Sequence, residues 1–185
     1  MTQIKKQNLA FVDVETSGLD AEKHEVIQIG CVLVSQDWTG DKPKFEMIEE
    51  LELKIKMERP EDAQPEALRI NGYDPAAWLF AYNLPEAMKI FAEKTKDAIM
   101  VAHNVAFDYS FIDKAFRKAG VENKMHYHKL DTISIAFAKL HDVHDVDKFS
   151  LHYLCAHFGI ENKKAHSALP DARATFEVYK KLMSL

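Results

Sequence analysis

Five residues spread along the chain have the types and positions needed to bind metal ions and move a proton: Asp13, Glu15, Asp108, His166 and Asp171. The first two belong to the segment LAFVDVET, where an apolar strand carries acids at alternate positions. Side chains two residues apart in a strand point to the same face, so these two carboxylates would lie side by side. Burial of neighbouring charges is unfavourable unless they are compensated, so we expect a divalent cation or a basic group beside them.

The other two acids each begin the apolar stripe of a predicted helix. In AFDYSFIDKAFRKAG, Asp108 precedes apolar residues at helical spacing, and in SALPDARATFEVYKKLMSL, Asp171 does the same. Pro170 is tolerated only in a first helical turn, which places Asp171 at the start of the last helix and His166 in the loop before it. Both acids should therefore lie at the end of a core-facing stripe.

The elements that must position these residues change from strands to helices along the chain. Strands are predicted at 9–14, 25–35 and 45–57, and turn residues between the first two indicate an antiparallel meander. The apolar run at 98–102 is typical of a central parallel strand, and HKLDT indicates a last short one. Helices are predicted near 65–70, near 84–96 with Asn83 as the cap, around Asp108 up to Gly120, at 132–140, at 150–157 closed by Gly159, and at the C-terminal end. This order predicts an α/β fold: a mixed sheet with helices on both faces.

The composition indicates one folded unit. A chain of 185 residues that is 47% hydrophobic can bury one sizeable core, so we expect a single domain over 1–185. Cys31 and Cys155 lie in apolar runs without a CxxC pattern, which favours buried thiols in a reducing cytoplasm over a disulfide. We see no signal peptide and no apolar stretch of about 20 residues, so a soluble protein without membrane contact is expected.

The net charge of −5 disfavours a protein that coats nucleic acid by bulk electrostatics. It is compatible with a site that holds a few phosphates through bound metal ions. Basic residues occur on one helix face, at Lys114, Arg117 and Lys118, and just before the histidine motif, at Lys163 and Lys164. For each of them a solvated surface position is the favoured interpretation.

The segment HDVHDVDK at 141–148 has enough histidines and aspartates to imitate a metal-binding loop. It lacks the glycine and the closing glutamate of an EF-hand. We therefore interpret it as a solvated connection.

Three motifs in order carry a family resemblance: DVETSG, AHNVAFD and HSALPDA, with KLDT and SLHYLCAHFGI between the last two. The chain resembles the DnaQ-like exonucleases of the DEDDh group from about residue 9 to about residue 182. The resemblance implies a ribonuclease H-like fold with a five-stranded sheet, two divalent metal ions, and removal of mononucleotides from 3′ ends. By matching positions it makes Asp13, Glu15, Asp108 and Asp171 the metal-binding acids and His166 the general base.

The chemistry of this family explains why such residues are needed. Phosphodiester hydrolysis requires a nucleophilic hydroxide and relief of charge on the phosphate, which two cations about 3.5–4 Å apart provide. Carboxylates are hard ligands suited to Mg²⁺ or Mn²⁺. We assign Asp13 to both ions, Glu15 and Asp171 to the ion that activates water, and Asp108 to the second ion directly or through water. His166, with an ordinary pKa of about 6.5, can accept the proton of the water.

Four further positions match substrate-binding positions of the family. Thr16 and Leu19 follow the first acids, where relatives hold the terminal nucleotide through a hydroxyl contact and a wedge against the base. Asn104 and Phe107 correspond to positions near the substrate path, and Phe107 is also a candidate core residue.

Two other residues have alternative explanations. Asp131 in KLDT either supports the metal site from behind or caps the helix that follows. Gln28 departs from the glutamate of many relatives, and we expect it to serve sheet packing or hydrogen bonding without disturbing the metal site.

The competing functions are a catalytically silent nucleic-acid-binding module and a polymerase-associated proofreading subunit. The complete set of acids and histidine favours an enzyme, because silent members of the family tend to lose one of them. The chain ends directly after its final helix, so we expect a freestanding exonuclease without a polymerase partner. Its partner is expected to be single-stranded or 3′-ended nucleic acid, and the sequence leaves open whether this is DNA or RNA. It also leaves open whether the protein is a monomer or a homodimer.

Overall fold

The computed structural model describes residues 4–162 and 167–185 and contains a five-stranded sheet in the order β3-β2-β1-β4-β5. The first three strands pair antiparallel, whereas β4 lies parallel to both β1 and β5. The strands are β1 Leu9–Thr16, β2 Val26–Asp37, β3 Lys44–Lys54, β4 Ile99–Ala102 and β5 Lys129–Asp131. The predicted mixed sheet with its antiparallel meander is confirmed.

The strand limits differ from the prediction at two places near the end of the sheet that carries the acids. β1 continues to Thr16, two residues further than predicted, because its pairing with β2 extends through an irregularity after Glu15. β3 stops at Lys54 instead of continuing to residue 57, because Ile55 forms an isolated bridge to Tyr82. The segment before the second helix therefore closes this corner of the sheet.

Each predicted helix is present among the described residues. They are α1 Pro65–Ile70, α2 Leu84–Lys94, α3 Val105–Ala119, α4 Thr132–Leu140, α5 Leu151–Phe158 and α6 Ala168–Ser184, with short 3-10 helices at Ile4–Lys6 and Pro60–Asp62. Asn83 and Glu86 form the capping box that begins α2. Gly120 and Gly159 end α3 and α5 in the left-handed conformation that favours glycine.

Helices cover both faces of the sheet, as predicted. One face packs on α2 and α3 through residues such as Val12, Phe91 and Phe111. The other face packs on α6, where the rings of Phe11 and Phe176 lie 4.9 Å apart. Because side chains alternate along β1, Asp13 and Glu15 share the α6 face with Phe11.

Two further properties bear on the setting of the protein. Within the described residues, no helix combines the length and the apolar character that crossing a membrane requires. Cys31 and Cys155 are separate buried thiols, and burial raises their pKa values to about 12 and about 11.

Candidate active site

The site lies where β1 and β4 separate. β4 pairs only with Leu9–Phe11 of β1, so the second half of β1 lacks a strand partner on that side. The first turn of α3 fills the gap, and Asp108 Oδ1 accepts a hydrogen bond of 3.1 Å from the backbone N–H of Val14. Asp108 is thus anchored directly to the strand that carries the other two acids. Such separation points in α/β sheets are where binding sites form.

The close approach of α6 to β2 brings the last acid to the same place. Asp13 lies opposite Gly30 in the β1–β2 pair. A methyl group added at Gly30 would lie 2.2 Å from the carbonyl carbon of Ala168 and 2.3 Å from the backbone nitrogen of Leu169. Only glycine therefore allows the first turn of α6, which contains Asp171, to pack against the sheet beside Asp13.

Asp13, Glu15 and Asp171 form a three-carboxylate cluster. One oxygen from each lies within 4.8 Å of the others, an arrangement that could hold a metal ion. All three side chains are half-buried. Asn162 Nδ2 donates a hydrogen bond of 2.6 Å to Asp171 Oδ1 and orients that carboxylate. The sequence prediction that these acids converge agrees with the structure.

The electrostatics of the cluster favour a bound cation. Burial raises the pKa of Asp13 well above its ordinary value, and the charges of Asp108, Glu15 and Asp171 raise it further. Burial and Asp171 raise the pKa of Glu15 to about 7. Burial also raises the pKa of Asp108 to about 8, against the opposing effect of the Val14 N–H. Positive charge brought to this position would relieve the repulsion.

The predicted general base falls on residues 163–166, which the structure does not describe. His166, Lys163 and Lys164 therefore stay predictions.

The four predicted substrate-binding residues are of two kinds. Leu19 is 75% exposed, and Asn104 is exposed in a left-handed conformation with φ 74° at the start of α3. Thr16 is buried, and its hydroxyl donates to the carbonyl oxygen of Gly18 at 2.7 Å. Phe107 is half-buried and packs on Phe111 with ring centroids 5.1 Å apart. Leu19 and Asn104 are thus exposed to a ligand, whereas Thr16 and Phe107 have contacts within the fold.

Asp131 caps two helices at once. Its carboxylate accepts hydrogen bonds from the backbone N–H groups of Ile133 and Ser134 in α4 and of Asn104 and Val105 at the start of α3. Burial alone would raise its pKa, but these bonds and one from the Ser134 hydroxyl hold the pKa below its ordinary value. The cap interpretation is correct, and because α3 carries Asp108 the cap also supports the site.

Gln28 lies opposite Glu15 in the sheet and is buried. Its side-chain amide donates a hydrogen bond of 2.7 Å to Glu52 of β3. The predicted hydrogen-bonding role in the sheet is therefore what the structure shows.

The basic face of α3 is occupied by local pairs. Lys118 lies 2.8 Å from both Glu25 and Glu58, and Arg117 pairs with Asp113 at 3.0 Å. Lys114 binds backbone carbonyl oxygens of the β1–β2 loop. The interpretation as a solvated surface position fits Arg117 and Lys118, which are exposed, but not Lys114, which is half-buried and hydrogen-bonded to that loop. In the described ranges, the segment 141–148 contributes to no group of three metal ligands.

Two residues that support the site were not identified from the sequence: Gly30 and Asn162. A lone glycine inside the apolar strand IGCVLV is a signal of close backbone approach and could have indicated the first. Asn162 carries no such signal, because its contact with Asp171 depends on how the loop before α6 meets that helix.

Comparisons with known proteins agree with this geometry. The sequence family described as exonuclease, of the RNase T type, matches residues 10–179. The chain is 33% identical over 181 residues to ribonuclease T of Shewanella sp. (strain ANA-3), which covers 91% of this chain and 78% of that protein. It is 29% identical over 176 residues to the DNA polymerase III subunit epsilon of Haemophilus influenzae, covering 91% of this chain and 64% of that one.

The fold is similar to that of a solved nuclease. Escherichia coli exonuclease I in complex with a dT13 oligonucleotide superimposes with a TM-score of 0.76 at 20% identity. The match covers 95% of this chain but 41% of the exonuclease I chain, so this chain spans less than half of that protein. The ribonuclease H-like fold class is confirmed by this likeness.

Proposed function

The chain belongs to the DnaQ-like 3′–5′ exonucleases of the DEDDh group, and we propose that it releases nucleoside 5′-monophosphates by a two-metal-ion mechanism with His166 as general base. The observation that supports this most is the convergence of Asp13, Glu15 and Asp171 within 4.8 Å. Asp13 and Glu15 come from β1 and Asp171 comes from α6, and bound cations would offset the repulsion among the three carboxylates.

The residues present fit two divalent ions, Mg²⁺ or Mn²⁺. In this proposal Asp13 would hold both ions, Glu15 and Asp171 would hold the one that activates water, and Asp108 would hold the second directly or through water. The ions would supply charge for the phosphate oxygens and a lowered pKa for the water. Carboxylates are the preferred ligands of such hard cations, and no described histidine or cysteine belongs to the cluster.

The protein groups divide the remaining work. His166, five residues before Asp171, would take the proton of the attacking water through its neutral imidazole. Asn162 keeps Asp171 in one orientation through its 2.6 Å hydrogen bond. The Val14 N–H does the same for Asp108, so the chain itself orients two of the four acids before ligands bind.

The substrate proposed is a 3′-ended single strand of DNA or RNA. Leu19 would wedge against the terminal base, because a large apolar side chain that is 75% exposed in the loop after β1 can contact the flat face of a base. Asn104 and Thr16 would contact the terminal nucleotide, and Phe107 would line its path. The oligonucleotide complex of exonuclease I supports a single strand as the ligand class to test first.

The setting of the enzyme is also proposed. The separate thiols Cys31 and Cys155 support a cytoplasmic location. The two hydrophobic clusters that pack on opposite faces of one sheet support a single exonuclease domain over 1–185. The similarity to the polymerase III epsilon subunit favours one second candidate, a proofreading subunit. Co-elution with a polymerase core would support it, whereas full activity of the isolated chain supports a freestanding enzyme, either monomer or homodimer.

The test is degradation of 5′-labelled oligonucleotides by the purified chain. We expect a ladder that shortens from the 3′ end in Mg²⁺ or Mn²⁺, stops with EDTA, and slows when the 3′ end carries a phosphate. Hydrolysis in the presence of chelator would exclude the two-metal mechanism, and cuts in a circular substrate would exclude an exonuclease.

A pair of variants separates the general base from the metal ligands. His166→Ala should bind Mn²⁺ and nucleic acid like the parent but lose about 10²–10⁴-fold in rate, the range for loss of a general base. Asp13→Ala should lose both Mn²⁺ binding and activity. His141→Ala, an exposed histidine that lies 3.2 Å from Asp142, is the control and should match the parent. A His166→Ala protein with parental rate would refute the assignment.

A further inference from the structure

The loop between β1 and β2, residues 17–25, is here called the leucine loop because it exposes Leu19 directly after the strand that carries Asp13 and Glu15. Its two ends are closed by the backbone, since Ser17 N–H donates to Glu25 O at 2.8 Å and the Ser17 hydroxyl accepts from Glu25 N–H at 2.9 Å. Neither bond reaches the tip of the loop. The position of Leu19 must therefore be set by other contacts.

The imidazole of His24 lies directly beneath the tip. It is 5% exposed, and a methyl group added at Gly18 would lie 2.5–2.6 Å from its ring atoms Cδ2, Cγ and Nε2. The backbone N–H of Asp20 donates a hydrogen bond of 3.0 Å to His24 Nδ1, and the carbonyl oxygen of Asp20 lies 3.1 Å from the same nitrogen. The ring thus contacts the residue before Leu19 and the residue after it.

Lys114 holds the outer side of the same loop. Its Nζ donates to the backbone carbonyl oxygens of Ala21, of Glu22 at 2.7 Å and of His24 at 3.3 Å. Lys114 belongs to α3, the helix whose first turn carries Asp108. Lys114 therefore connects the loop to the helix that contributes Asp108 to the site.

We propose that His24 is a positioning residue for substrate: through Gly18 and Asp20 it fixes the position of Leu19 relative to the strand that carries Asp13 and Glu15. This inference rests on the proposed function, because it assigns Leu19 a contact with the terminal nucleotide. His24 does not belong to the group that could hold the metal, so its loss should leave metal binding unchanged. Removal of the ring weakens the support of the loop tip, which keeps the hydrogen bond from the Thr16 hydroxyl to Gly18 O and the backbone bonds from Lys23 and His24 to Asp20 O. Substrate binding then includes the ordering of a looser loop.

The reasoning predicts a specific pattern of kinetics. His24→Ala should raise KM for a single strand about 10-fold and change kcat less than about 3-fold, because the chemistry of bound substrate is unaffected. Leu19→Ala should have a similar effect. The double variant should be no worse than Leu19→Ala alone, because His24 acts through that side chain.

The experiment measures binding and turnover separately. Binding is measured with an oligonucleotide that ends in a 3′-terminal phosphorothioate linkage, in Ca²⁺, and Mn²⁺ binding is measured by calorimetry. His24→Phe keeps a ring beneath Gly18 but lacks the Nδ1 acceptor, so it secures a folded variant and should weaken binding less than His24→Ala. His141→Ala serves as the matched control.

The outcomes separate this inference from the proposed function. A parent that neither binds nor degrades the strands would refute the proposed function. If the parent is active, three results would overturn the role of His24: parental KM in folded His24→Ala, equal loss of Mn²⁺ binding, or additive losses in the double variant. A rise in KM that disappears in the Leu19→Ala background would establish it.

Discussion

Substitution of Gly30 by alanine should displace the last acid of the site. The added methyl group would lie 2.2–2.3 Å from backbone atoms of Ala168 and Leu169, and no side-chain rotation can relieve a contact with backbone. Carbon atoms pack at about 3.5–4.0 Å, so the first turn of α6 must retreat by roughly 1 Å or more. Asp171 lies in that turn and would move away from Asp13.

The expected losses follow from this displacement. A catalytic geometry shifted by about 1 Å loses on the order of 10²-fold in rate. Forcing an extra methyl group into a packed position costs about 1–3 kcal/mol of unfolding free energy, which lowers the melting temperature by roughly 2–12 °C in a chain of this size. Mn²⁺ affinity should fall together with the rate, because the three oxygens no longer converge.

Two glycine variants are matched controls. Gly40→Ala places its methyl group 3.8 Å from the carbonyl oxygen of Lys42 and should behave as the parent. Gly120→Ala meets no atom within 4 Å but has φ +63°, so it should lose stability and keep its rate. The measurements are kcat/KM on a labelled single strand, Mn²⁺ titration and thermal melting. A folded Gly30→Ala protein with parental rate and Mn²⁺ affinity would show that close packing of α6 does not set the site.

The remaining predictions concern stability. Because the pKa values of Glu15 and Asp108 are raised to about 7 and about 8, the folded protein without metal holds protons that the unfolded chain releases, so its melting temperature in EDTA should fall as pH rises from 5.5 to 8. Mn²⁺ at about 100 times its Kd should raise the melting temperature at pH 8 by roughly 5–10 °C. Asp13→Asn should melt at a higher temperature than the parent in EDTA but respond less to Mn²⁺. A melting temperature of the parent in EDTA that does not change with pH would contradict the repulsion on which these predictions rest. Asp131→Ala removes caps from two helices and should lose about 1–4 kcal/mol in urea unfolding, against about 0.5–2 kcal/mol for the single cap removed by Ser150→Ala; equal losses would contradict the double cap.

The positions of the acids could be predicted because each belongs to a local pattern. Alternation in LAFVDVET places Asp13 and Glu15 on one face, and helical spacing places Asp108 and Asp171 at the ends of buried stripes. The cap Asn83 was equally accessible, since it is followed by the pattern that begins a helix, whereas Ser150, predicted as the first helical residue, is the cap before α5. Local chemistry therefore carries both the fold class and the candidate ligands.

The contacts that fix the acids could not be predicted, because they depend on where elements separate or meet. The bond from Val14 to Asp108 exists only because β4 pairs with β1 as far as Phe11. The end of β3 at Lys54 follows from the bridge between Ile55 and Tyr82, which brings together distant segments. Lys114 resembles a solvated lysine in the sequence, yet it binds the carbonyl oxygens of a loop far away along the chain. Such contacts have no local pattern.

The acids stay together despite their repulsion because α6 is held against the sheet by residues beyond Asp171. Beyond Asp171, the helix packs on the sheet through Phe176 and Tyr179, whose rings lie 4.9 and 5.3 Å from that of Phe11. Each aromatic pair adds about 0.5–1.5 kcal/mol to the burial of its side chains. Since Phe11 and Asp13 are on the same face of β1, the contacts that hold the helix also align Asp171 with Asp13. The repulsion is therefore confined to one end of a helix that is stabilised at the other, and the acids can remain in binding positions before metal arrives.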